Sequence, residues 1–157
     1  DLSNDSSVID LYWPQVKDRV SALFTQGQMK AGHINYDSDN GRIQVKDGNL
    51  PYCFQLEYYE FVGCTIQGEV TYCDFFGCDV QSSDIHNCNF YNGTQINNSK
   101  VGSSFVAAGC VAKNCYIYGT DGVFKGEMQG GIFREGGYDS KKAKFDDVEI
   151  VKSKKIN

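Results

Sequence analysis

Proline, methionine and tryptophan are nearly missing from this chain: two Pro, two Met and one Trp stand among 157 residues. No apolar run approaches the roughly 18 residues of a transmembrane helix, and the N-terminus lacks the basic-then-apolar pattern of a signal peptide. These absences predict no membrane partner and a cytoplasmic or virion location. Positive charge is in deficit, with 15 Lys plus Arg against 20 Asp plus Glu, and a formal charge of -5 argues against direct nucleic-acid binding. There is no Walker loop, no strand-to-helix Gly-x-Gly-x-x-Gly and no Gly-x-Ser-x-Gly elbow. An initiating Met is also missing, and the start at Asp1 suggests a piece of a longer chain.

What the chain does hold is Gly (17), Tyr (10), Phe (10) and Cys (7), a composition rich in turns and rings that favours β architecture over a helical bundle. Its length allows one domain with a real core. Seven is an odd cysteine count, and without a secretory signal the expectation is reduced thiols.

Three regions follow from the local patterns. Residues 1 to 12 are polar and read as a disordered linker. Residues 13 to 57 read as a cap: Pro14 opens a short α-helix in which Val16, Val20, Leu23 and Phe24 share one face, and a β-hairpin follows with Asn40-Gly41 at its turn. Asp37, Asp39 and Gly41 fail as a calcium loop, since the glycine comes one position early and Gly48 stands where the closing Glu belongs.

From residue 58 to 139 the apolar residues recur every five positions. Phe75, Val80, Ile85 and Phe90 are each preceded, two places earlier, by a small residue: Cys73, Cys78, Ser83 and Cys88. Five is odd, and a continuous strand would send alternate members of this set to opposite faces, so the chain must turn after each pentad. The same phase returns at Ile96, Val101, Val106 and Val111 after one extra residue at Gly93, and again at Ile117 after another at Asn114. Phe75, Ile96 and Ile117 thus predict a coil of about 21 residues with four sides. In that register Cys73 stacks on Thr94 and then Cys115, while Cys53 and Cys110 fall off the inner positions and read as exposed thiols.

Cys73-Asp74-Phe75-Phe76-Gly77, Cys78-Asp79-Val80-Gln81-Ser82, Ser83-Asp84-Ile85-His86-Asn87 and Cys88-Asn89-Phe90-Tyr91-Asn92 resemble the pentapeptide-repeat family. The resemblance covers Cys64 to Ile117 and implies a right-handed quadrilateral β-helix. The fold class expected is therefore mainly β: a right-handed parallel β-helix over residues 58 to 139, behind a short α-helix and a β-hairpin. Residues 140 to 157, with Lys141, Lys142, Lys144, Lys152, Lys154 and Lys155, read as a C-terminal cap and basic tail.

No metal, cofactor or catalytic residue is expected. Cys73, Cys78 and Cys88 lie on different sides of one coil rather than at a zinc knuckle, and His86 points outward while Cys88 points inward. The outward rings of Phe76, Tyr91, Tyr116 and Tyr118 are the candidate interaction surface. The chain reads as a non-enzyme, a structural or protein-interaction module of a larger, possibly phage or virion-associated assembly, contacting a protein partner or a second copy of itself. The alternative comes from the resemblance: several family members inhibit DNA gyrase as DNA mimics, which would make this chain a regulator of a topoisomerase.

Overall fold

The computed structural model describes residues 6 to 27 and 29 to 156, so the first five residues of the expected linker lie outside the described residues. The rest of that linker is helical: α1 (Ser6–Leu11) buries Ile9 and leads into α2 (Trp13–Gln26). Pro14 sits in the first turn of α2, where its missing N–H has no helical partner to lose, and Val16, Val20 and Phe24 line the buried face. Phe24 meets the ring of Tyr59 at 5.8 Å, so α2 closes the N-terminal end of the core.

β1 (His33–Asp37) pairs antiparallel with β2 (Arg42–Lys46) across the expected turn, with Tyr36 opposite Ile43. All later strand ladders are parallel. β2 and β3 (Asn49–Glu57) form the first coil of a β-solenoid, and β4 (Tyr59–Val62) and β5 (Thr65–Thr71) the second. The third holds β6 (Asp74–Phe76), β7 (Asp79–Gln81) and β8 (Asp84–His86); the fourth holds β9 (Asn89–Tyr91), β10 (Gln95–Asn97) and β11 (Lys100–Gly102). The fifth is β12 (Phe105–Val106) with β13 (Val111–Tyr118), and the sixth is β14 (Val123–Phe124) with β15 (Glu127–Arg134). The seventh is β16 (Gly137–Asp139), β17 (Lys144–Asp146) and β18 (Glu149–Val151), and β19 (Lys154–Ile156) lies on β16.

The solenoid is shown, but its coil is not the one the pentads predicted. Asp79 pairs with Gln95, Gln95 with Val111 and Val111 with Glu127, a step of 16 residues. Elsewhere the step runs from 14, at Glu60 to Asp74, to 17, at Glu127 to Lys144. A coil is therefore three sides and not four. A pentad fixes the length of a side and leaves the number of sides open; only the corner insertions count them. The second insertion falls between Val106 and Ala112, where Ala112 and not Val111 is buried, so the insertions after Phe90 and Val106 lie 16 residues apart at the same corner.

Two boundaries move as well. The solenoid begins at β2, inside the expected hairpin cap, and residues 140 to 157 contain β17, β18 and β19 rather than a cap and tail. Inward side chains stack in three columns. Val45, Phe61, Phe75, Phe90, Val106 and Phe124 fill the first side; Leu50, Ile66, Val80, Ile96, Ala112 and Met128 the second; Leu56, Val70, Ile85, Val101, Ile117 and Phe133 the third.

Two residues after an inward side chain the backbone turns left-handed, at Gly77, Ser82, Asn87, Asn92, Asn98, Ser103 and Asn114 among others. Gly, Asn and Ser tolerate that conformation best, which explains their density here. The small residues before each side are buried hydrogen-bonding nodes between coils. Thr94 Oγ1 accepts from Cys78 N at 3.2 Å and donates to Tyr91 O at 2.8 Å; Ser104 Oγ accepts from Cys88 N at 3.0 Å and donates to Gly102 O at 2.9 Å. The true column is Cys73, Cys88, Ser104, with Cys73 N donating to Cys88 Sγ at 3.4 Å, and not Cys73, Thr94, Cys115. All seven cysteines are free and buried, Cys53 and Cys110 included, contrary to the exposed thiols expected there. Cys110 is the small residue before Ala112, an inner position that the wrong coil length hid.

Candidate interaction surface

The four rings singled out in the sequence occupy two separate sides. Phe76 and Tyr91 lie on the outer face of the first side, in register across β6 and β9, with ring centroids 5.1 Å apart and planes inclined by 19°. Val62 precedes them in the same column and Phe105 meets Tyr91 at 6.0 Å, so four coils share one apolar stripe. Tyr116 and Tyr118 stack at 5.1 Å on the third side. All four rings are half-buried by neighbours on their own faces, and α2 covers none of them.

Beside the stripe runs a polar column, Gln44, Glu60, Asp74 and Asn89, in which Asn89 Nδ2 donates to Asp74 Oδ1 at 2.9 Å. Beyond it, at the corner, Tyr58 and Tyr72 stack at 5.3 Å with planes 6° apart, and the Arg42 guanidinium lies 5.6 Å over Tyr58 and donates to Tyr72 O. Sequence reasoning missed this pair, because both tyrosines hold left-handed corner positions where Asn or Gly is expected. Tyr72 is 45% exposed. The outer face of the second side is of another kind: Thr65, Asp79 and Gln95 form one column and Gln81, Asn97 and Lys113 the next, with no ring among them.

Glu60 is the one buried acid of the polar column. Its carboxylate accepts from Asn40 Nδ2 at 3.1 Å and Gln44 Nε2 at 3.3 Å, and Asn40 Nδ2 also donates to Asp37 Oδ2 at 2.9 Å. Burial pushes the Glu60 carboxyl above the usual carboxylate range, and Asp37 adds to the shift against those two hydrogen bonds. The Asp37 side chain, rejected above as a calcium ligand, closes the β1–β2 turn by accepting from Asp39 N at 3.1 Å.

On the third side, Tyr118 lies across Gly102, whose missing Cβ would stand 2.4 Å from the Tyr118 ring, and reaches His86 two coils back. The Tyr118 hydroxyl is 3.2 Å from His86 Nδ1, His86 Nε2 is 3.0 Å from Asp84 Oδ1, and Lys100 Nζ sits 5.6 Å over the Tyr118 ring. Spacing alone had offered His86 no orienting carboxylate. Asp84 supplies one because two residues on a strand share a face, a signal the sequence did contain. The Tyr118 oxygen and both His86 nitrogens are engaged within the chain, so this cluster braces three coils.

Comparison with protein-family models, with curated proteins and with solved structures finds no match to this chain.

Proposed function

We propose that the chain is a non-enzymatic structural or protein-interaction module of a larger assembly, of the virion-associated kind, and that it meets its protein partner with the outer face of the first side. The observation that carries this reading is the stripe of Val62, Phe76, Tyr91 and Phe105 flanked by the Glu60–Asp74–Asn89 column and the Tyr58–Tyr72 pair. Aromatic residues with a polar border are what protein contacts favour, since a ring adds large buried area with few rotors to freeze. Tyr118 drops out of the contact set, because its ring and hydroxyl serve His86 and Lys100.

The shared pentad register supports a remote kinship with pentapeptide-repeat proteins, while the three-sided coil separates this chain from their quadrilateral form. The DNA-mimic reading draws no support from the charge columns. Glu69 and Asp84 are followed by Lys100, Asp79 by Gln95 and Asp74 by Asn89, so no run of acids tracks a phosphate backbone.

The test is to isolate the native assembly and identify its members by intact mass spectrometry, then repeat the isolation with Phe76→Ser and Tyr91→Ser. Loss of the partner with an unchanged circular dichroism spectrum is expected. Full recovery of the partner with both variants would sink the reading, and recovery of the wild type with a topoisomerase alone would put the regulator in its place.

A further inference from the structure

The two ends of the solenoid differ. α2 covers the first coils, whereas β17, β18 and β19 each pair on one edge only, with β15, β15 and β16. Among the described residues no strand lies on their other edge. Ile150 and Ile156 are 42% and 36% exposed there, and Phe145 is only partly buried against Phe124, Phe133 and Tyr138. Lys144 N donates back to Gly126 O at 3.0 Å. Successive peptide groups of a strand point to opposite edges, so Phe145 turns its N–H and C=O to the open side.

Charge around Phe145 is antisymmetric: Lys141, Lys142 and Lys144 precede it, and Asp146, Asp147 and Glu149 follow. Asp139 Oδ1 accepts the N–H groups of Lys142 at 2.9 Å and Lys141 at 2.8 Å, which fixes the basic arm as an ordered corner. Lys144 and Asp146 are both exposed.

We propose that two copies of this chain pair through β17, edge to edge and antiparallel, about a two-fold axis at Phe145. In that arrangement the two Phe145 residues exchange both N–H···O=C bonds and their rings meet on the core side. Lys144 faces Asp146 of the second copy, and Lys141 faces its Glu149. The same pairing occurs twice, because an isologous contact repeats each interaction. Lys155 stands over Tyr138 in the inward column of the first side, so an ammonium group at the mouth of the core keeps the remaining sides from closing. The contact is thus confined to β17 and its flanking corners, and it is weak and sensitive to salt. This inference rests on the reading of the chain as an assembly module, but it uses a different surface from the aromatic stripe, so the Phe76 and Tyr91 variants should dimerise normally.

Sedimentation velocity of the 157-residue chain over a range of concentration and salt tests it, with Lys144→Asp, Asp146→Lys and the double exchange. All three positions of the pairing lie at the surface or rim, and circular dichroism verifies that each variant is folded. A dimer that weakens with salt is expected for the wild type. Each single exchange sets like charges opposite each other twice and should weaken the dimer by more than about tenfold, and the double exchange should restore it. A wild type that stays monomeric at every concentration overturns the proposal, as does a dimer indifferent to the single exchanges or one that the double exchange fails to restore.

Discussion

At the scale of the residue, the inner corners show why small polar and sulfur side chains repeat. A corner position is buried, beside backbone groups that the turn leaves unpaired, and a hydroxyl or thiol both fits and satisfies them. Burial raises the thiols of Cys53 and Cys88 to about 12, which matches a structural rather than a nucleophilic use. Glu60 is the exception in the polar inventory, since it is an acid held where burial opposes its charge. Its folded form keeps the proton to higher pH than the unfolded chain does. Its contribution to stability is therefore full below the ordinary glutamate range and is lost as pH rises through the raised folded value. Glu60→Gln should remove that loss: urea midpoints of the two proteins converge near about pH 4 and separate, with the variant the more stable, near about pH 7. Parallel pH profiles would mean that Glu60 titrates as an ordinary surface acid.

Among the elements, the corners carry more conformational cost than the strands. Gly77 and Gly68 both have positive φ, +60° and +147°, yet their surroundings differ. A Cβ at Gly77 meets nothing nearer than 3.5 Å, so Gly77→Ala adds only the left-handed penalty of about 1 to 2 kcal/mol. A Cβ at Gly68 would lie 2.0 Å from Cys53 O, where β3 and β5 cross closely. Gly68→Ala should cost more than about 3 kcal/mol, because strain and backbone displacement add. Thermal unfolding of the two variants side by side separates them; equal losses would show that the coil relaxes freely at Gly68. The corners were legible in the sequence as punctuation by Gly, Asn and Ser. The Tyr58 and Tyr72 corners were not, because no local preference foretells an aromatic residue in a left-handed position.

For the whole molecule, a stack in which each coil touches only its neighbours makes coil length a testable quantity. Excising Asn89–Ser104 removes one 16-residue coil and seats Phe105 on Asp74, where Asn89 had been, with Val106 in the core place of Phe90. That variant should fold cooperatively with a lower melting temperature. Excision of 21 residues from Asn89 to Gly109 instead moves Ala112 to an outward position and flips the sheet that follows, so it should not fold. Circular dichroism melts of the two deletions decide between three sides and four, and a folded 21-residue deletion would overturn the register described here.

The sequence by itself determined that the chain is β, that its sides are about five residues long and that Phe75, Val80, Ile85 and Phe90 point inward, because side-chain alternation and corner chemistry are local properties. It also placed the helix at Val16, Val20 and Phe24, whose spacing is local too. Only the tertiary structure decided how many sides close a coil, which cysteines stack, and that Phe76 with Tyr91 belongs to one side while Tyr116 with Tyr118 belongs to another. Closure is set by how three apolar columns fill one core across residues 14 to 17 apart, and no single pentad carries that information.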